Sequence, residues 1–151
     1  MIYHPAHEPR AISAAAAALV RRAIRSAERE LKSRRRNAER LVMAAREARG
    51  LRLVKPVEGG VPGYLRLPVL DSAGRSAAPL LGVLRPYPGT LADQEPLQPA
   101  LLGGETAGAG SRELGSFLYT LPTHSLTTER DLRALEAWLT TGAAVRAVRA
   151  G

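Results

Sequence analysis

Few side chains in this sequence could carry chemistry, and their spacing narrows that chemistry further. Cysteine is absent, so there is no thiolate nucleophile, disulfide framework or thiolate metal site. Lysine occurs twice, at Lys32 in a charged run and at Lys55 before a proline. Histidine occurs three times, at His4, His7 and His124. His4, His7 and Glu8 together suggest a metal cluster. A helical zinc motif, however, places two histidines four apart on one face, and here the spacing is three across Pro5. No metal site is assigned there. His124 lies in Leu121-Pro-Thr-His-Ser-Leu-Thr127, just ahead of a helix. It either touches a substrate or shapes the turn before that helix. Its place beside a capping threonine favours the turn, because short turn-plus-cap units need polar side chains for backbone groups. No Ser/Asp/His grouping surrounds it, so no catalytic residue is assigned.

The arginines are the other candidates. Residues 1–50 carry 12 basic and 5 acidic side chains, and 20 of the 22 basic residues in the chain are arginine. Arg34–Arg36 with Arg21, Arg22, Arg25 and Arg29 could bind phosphates. Aromatic residues for base stacking are missing from this stretch, and Glu28, Glu30 and Glu39 interleave with it. A solvated helix face is the simpler account, and nucleic acid is disfavoured. The glycines between Gly103 and Gly110 lack the preceding strand and the Gly-Lys-Ser/Thr ending of a phosphate loop. Arg85, Tyr87 and Pro88 follow an expected strand, where a loop is well placed for substrate contact. The same residues also read as a proline-bracketed turn.

The elements that position these residues follow from periodicity. At 151 residues the chain is expected to form one domain over 11–140, with an extended lead-in at 1–10 and a frayed tail at 141–151. Apolar residues from Ile12 to Leu31 and again from Leu41 to Ala48 recur at helical spacing, ending at Gly50. This is one long helix, or two broken near Ser33. Leu51–Val54 and Tyr64–Leu70 alternate as strands, with Pro68 marking an edge or a bulge. A short helix around Arg75–Leu81 closes at Gly82, and Val83–Arg85 reads as a third strand. Ser111–Phe117 reads as helical and leads into Leu118–Leu121. Thr127 or Thr128 caps a last helix with Leu132, Leu135, Trp138 and Leu139 on one face, and Asp131 stands three residues after Thr128. The expected fold is α+β: a long N-terminal helix and shorter helices packed on one face of a small, mainly antiparallel sheet. That face is expected to bury Leu51, Leu53, Leu65, Leu67 and Val69, or their alternates. No apolar run approaches the ~20 residues needed to span a bilayer, and a cytoplasmic setting is expected.

Taken in order, these segments carry a resemblance. Arg34-Arg-Arg-Asn-Ala38 is followed by Gly63-Tyr-Leu-Arg-Leu-Pro-Val69, Gly82-Val83, Tyr87-Pro88 and Leu91. Leu97-Gln-Pro-Ala-Leu101 comes next, and then Leu121-Pro-Thr-His-Ser-Leu-Thr127 with Glu129-Arg-Asp-Leu132. This order resembles the C-terminal, small domain of the DegT/DnrJ/EryC1/StrS family of PLP-dependent sugar aminotransferases, over most of residues 10–140.

The resemblance implies a fold-type-I small domain that covers an active site held by a large PLP-bearing domain. In the family, amino transfer goes to a nucleotide-linked keto sugar, usually in a homodimer. It implies substrate contacts at Arg85, Tyr87 and His124. The large domain is missing from these residues, and neither Lys32 nor Lys55 matches the family's cofactor lysine. The expectation is a truncated or split aminotransferase small domain that binds no PLP alone and is not catalytic alone. It would need a separate PLP-domain chain or a homodimer partner. The alternative is a stand-alone binding or interaction module that kept the fold without the chemistry. An exposed apolar docking face would favour the first reading, and a polar one the second.

Overall fold

A single helix of 34 residues, α1, runs from Ala14 to Glu47 in the computed structural model, which describes residues 12–87, 89–90, 93 and 108–142. The lead-in at 1–10, the Leu97–Leu101 segment, Pro88, Leu91 and the tail beyond Gly142 lie outside the described residues. Ser13 caps α1 by accepting a hydrogen bond from the Ala16 amide at 3.1 Å. The helix continues unbroken through Ser33, since residues 14–47 contain neither proline nor glycine to interrupt the hydrogen-bond ladder. Gly50, at φ 74, then turns the chain into the sheet.

The sheet is three-stranded and antiparallel, in the order β1 (Leu51–Leu53), β2 (Arg66–Asp71), β3 (Leu118–Pro122). Leu67 faces Leu121 and Val69 faces Tyr119 in the register, so these four share one side. The core lies on that side, where α1 and α3 (Glu129–Thr141) cover it with Leu41, Ala45, Leu135 and Trp138. The side chains of Trp138 and Tyr119 meet edge to face at 5.5 Å, and the indole Nε1 donates to the Ser76 carbonyl at 3.0 Å. A buried tryptophan therefore keeps its one polar atom satisfied. The short helix α2 (Ala109–Phe117) reaches the other side, where its Glu113 pairs with Arg52. The architecture is α+β, with a long N-terminal helix and two further helices around a small antiparallel sheet.

Four local expectations change. Leu65 is 73% exposed rather than buried, because Tyr64 adopts φ 46 and interrupts the alternation before β2 begins at Arg66. Val83 and Leu84 make isolated bridges, to Ala78 and Thr120, instead of a strand, and Leu118–Pro122 is the third strand. Pro86 follows too soon for Val83–Arg85 to extend its pairing. Pro68 lies within the central strand, not at an edge. It sits one residue beyond the last β1 pair, Leu53 with Val69, so its missing amide costs β1 no rung. The segment Arg75–Leu81 narrows to one 3₁₀ turn, Pro79–Leu81, closed by Gly82 at φ 71. A Cβ on Gly82 would meet the Pro122 ring at 3.2 Å.

Candidate functional site

One set of buried polar residues meets at Asn37, in the carboxy-terminal third of α1. Asn37 is 3% exposed, on the border of the apolar stripe that Leu41 and Ala45 continue. Its Nδ2 donates to the carbonyl oxygens of Thr123 and His124, at 3.1 and 3.2 Å. Thr123, fully buried, turns its hydroxyl to the Tyr64 carbonyl at 2.5 Å. That bond holds the left-handed Tyr64 in place, a conformation that typically costs about 1–3 kcal/mol. Three segments far apart in sequence, 34–38, 63–64 and 121–127, thus interlock through buried hydrogen bonds. Sequence reasoning missed Asn37. Its signal was present: a short amide at the edge of an apolar stripe, flanked by arginines that stay outside.

His124 belongs to this junction as a turn residue. Its carbonyl accepts from the Thr127 amide at 3.0 Å, and its Nδ1 lies 3.5 Å from the Thr127 hydroxyl. Thr128 then caps α3, with a full capping box formed by Asp131. The hydrogen bonds from Thr128 hold the Asp131 carboxyl below the usual carboxylate range.

Arg85 and Tyr87 lie elsewhere. The Arg85 guanidinium stands 5.1 Å over the Tyr119 ring, and its Nε donates to the Tyr119 hydroxyl at 3.1 Å. Tyr87 is 58% exposed. Leu84 pairs with Thr120 in the antiparallel sense, so the chain from Arg85 to Tyr87 runs toward the start of β3. His124 follows the end of that strand. The length of β3 separates Arg85 from His124 by roughly 16 Å. The three residues do not converge on one pocket.

Two ion-pair groups brace the same body. The Arg40 guanidinium bridges Glu136, at 2.5 Å, and Glu129, at 2.7 Å, tying α1 to α3. The hydrogen bond from Arg40 pulls the Glu136 carboxyl below its usual value, and both glutamates raise Arg40. Asp71 is buried and takes the Arg75 guanidinium at 2.6 Å, together with the amides of Ala73 and Arg75. Arg75 Nε is buried without a hydrogen-bond partner. Arg66 differs from these. Its guanidinium donates to the Thr120 hydroxyl and to the Thr120 and Gly82 carbonyls, and desolvation alone lowers its pKa.

A PLP cofactor needs a lysine to hold it and an acidic group for its ring nitrogen. Lys32 and Lys55 are both exposed, one on α1 and one in the loop after β1. Neither forms an ion pair with a carboxylate among the described residues. Two surface depressions, of about 370 and 280 Å³, are lined by α1 residues such as Arg21 and Arg25 and by Arg75 with Gly142, and neither contains a lysine. These residues do not fit PLP. Among the described residues no cluster of His, Asp and Glu could hold a metal ion, and His4, His7 and Glu8 lie outside them. No described helix is long and apolar enough to cross a membrane.

Among the described residues, exposed apolar side chains recur along the amino-terminal half of α1. Every residue from Ala18 to Arg29 of α1 is exposed, among them Leu19 at 69%, Val20 at 49% and Ile24 at 64%. This half of the helix projects from the body as a stem. No protein-family model matches the sequence, and no curated protein matches it.

Proposed function

We propose that these residues form the small domain of a DegT-type sugar aminotransferase. On this reading they are inactive alone, and the PLP-bearing domain that completes the enzyme lies outside them. Amino transfer to a nucleotide-linked keto sugar would then take place at a site these residues help to cover. Arg85, Tyr87 and His124 remain the proposed substrate contacts. The observation that carries the reading is the exposed apolar face, Leu19, Val20 and Ile24, on the amino-terminal half of α1, since isolated domains rarely leave such a face uncovered. A polar stem would instead have favoured a stand-alone interaction module. The junction of Asn37, Tyr64 and Thr123 adds support, because it joins three of the segments on which the resemblance rests.

The test has two arms. Incubated with PLP and reduced with borohydride, the purified chain is expected to remain unlabelled at Lys32 and Lys55 and to transfer no amino group. Combined with a DegT-type PLP-bearing domain lacking its own small domain, it is expected to restore amino transfer to a nucleotide-linked keto sugar. Labelling of either lysine with activity of the chain alone, or no activity in the combined sample, overturns the proposal.

A further inference from the structure

The apolar face of α1 is a seam, interrupted by the ion-paired Arg34, that the body covers only in part. Ala38, Leu41 and Ala45 are buried under α3 and the sheet. Stepping back along the helix by alternating four and three residues leads through Arg34 to Leu31, Ala27, Ile24, Val20 and Ala17. This alternation is the spacing at which side chains of one helix enter the holes of another. Along the outer part of the seam the larger Val20 and Ile24 stand exposed between the small Ala17 and Ala27, which leave room for a closely approaching backbone.

Charge narrows the occupant. Arg21, Arg22, Arg25 and Arg29 belong to the same stem, where Glu28 is the one acidic residue between Ala14 and Arg29. None of these four arginines forms an ion pair among the described residues. A second copy of the chain would bring four more guanidinium groups to the contact. Its overlap would also be limited, because the body already occupies the seam from Ala38 onward. A lipid surface fits poorly too. The face is rich in alanine and has no aromatic residue, whereas helices lying in a bilayer interface present Trp, Phe and Leu.

We infer that the amino-terminal half of α1 is a docking helix for a second helix, apolar along its contact line and bordered by carboxylates, on a partner domain. The inference rests on the reading above only in taking the PLP-bearing domain as the source of that helix. The seam supplies the affinity, and the arginines select an acidic partner and speed its approach.

Two synthetic coiled-coil peptides test it against the full 151-residue chain. Both carry Ile and Leu along the seam; one has Glu at the flanking positions and the other Lys. The glutamate peptide is expected to bind saturably, and more weakly as salt rises. The lysine peptide is expected to bind at least about tenfold more weakly. Val20→Glu and Ile24→Glu should each weaken the glutamate peptide at least about tenfold. Both variants should keep the parent's melting temperature, because these side chains lie outside the core. Absence of binding, equal binding of both peptides, or indifference to Val20→Glu overturns the inference. So does self-association of the chain through this seam in sedimentation, or preferential binding to anionic vesicles. The lysine-labelling and activity-restoration results do not depend on these peptides, so the two proposals fail separately.

Discussion

Asn37 Nδ2 lies 3.1 Å from the carbonyl oxygen of Thr123, a residue 86 positions further along the chain. This contact joins α1 to the turn that precedes α3. It stabilises less by what it adds than by what its loss would leave behind: the Thr123 carbonyl would lose its donor, while the His124 carbonyl keeps the Thr127 amide.

Replacing Asn37 by leucine should cost roughly 1–3 kcal/mol, the usual penalty for stranding a buried polar group. Chemical denaturation of the purified variant measures this directly. A loss below a few tenths of a kcal/mol would show that water reaches the Thr123 carbonyl.

Trp138 fills the centre of the core against Tyr119, fully buried. Trp138→Ala should destabilise by about 3–5 kcal/mol through lost burial and the cavity left behind. Trp138→Phe should recover most of that, lacking mainly the Nε1 bond to Ser76. Thermal melts of the two variants should therefore rank clearly, with phenylalanine the closer to the parent.

Asp71 and Arg75 form the most deeply buried ion pair among the described residues, with side chains 0% and 7% exposed. Arg75→Met leaves the Asp71 carboxylate without its cation and should cost about 3–5 kcal/mol. Changing both, Asp71→Leu with Arg75→Met, should cost less than the single change. A double-mutant cycle read by urea unfolding decides it; simple additivity would contradict a paired role.

Acid should unfold the protein partly through Glu136. Its folded-state pKa is held below 4.5 by the hydrogen bond from Arg40. Its contribution is therefore fully present above pH 4.5 and is lost as the pH falls through the depressed value. Asp131 and Glu30 are lowered in the same direction by hydrogen bonds, from Thr128 and from Ser125 with Arg34 respectively. Glu136→Gln should flatten the decline in stability on the acid side while lowering stability at neutral pH. Unfolding free energy measured across that range checks both halves of the expectation.

Local signals were read well from the residues alone. The capping box of Thr128 and Asp131, the apolar face of α3 and the stop of the 3₁₀ turn at Gly82 each depend on residues within a few positions of one another. The candidate contacts were less legible. Arg85 and Tyr87 were placed by their following a strand, yet the guanidinium ends over the Tyr119 ring, 34 residues away. Nothing adjacent to Arg85 in sequence announces that ring.

The sequence by itself determined most of the stretches that become helix or strand, Val83–Arg85 excepted, and that apolar residues recur at helical spacing along α1. Periodicity and capping act over one or two turns, so neighbouring residues state them. Only the tertiary structure decided that Leu118–Pro122 takes the place beside β2, that Tyr64 turns Leu65 out to solvent, and that the seam is buried from Ala38 but open at Val20 and Ile24. Those outcomes depend on which distant surfaces win the contest for the same apolar face, and that contest is settled by packing across the whole chain.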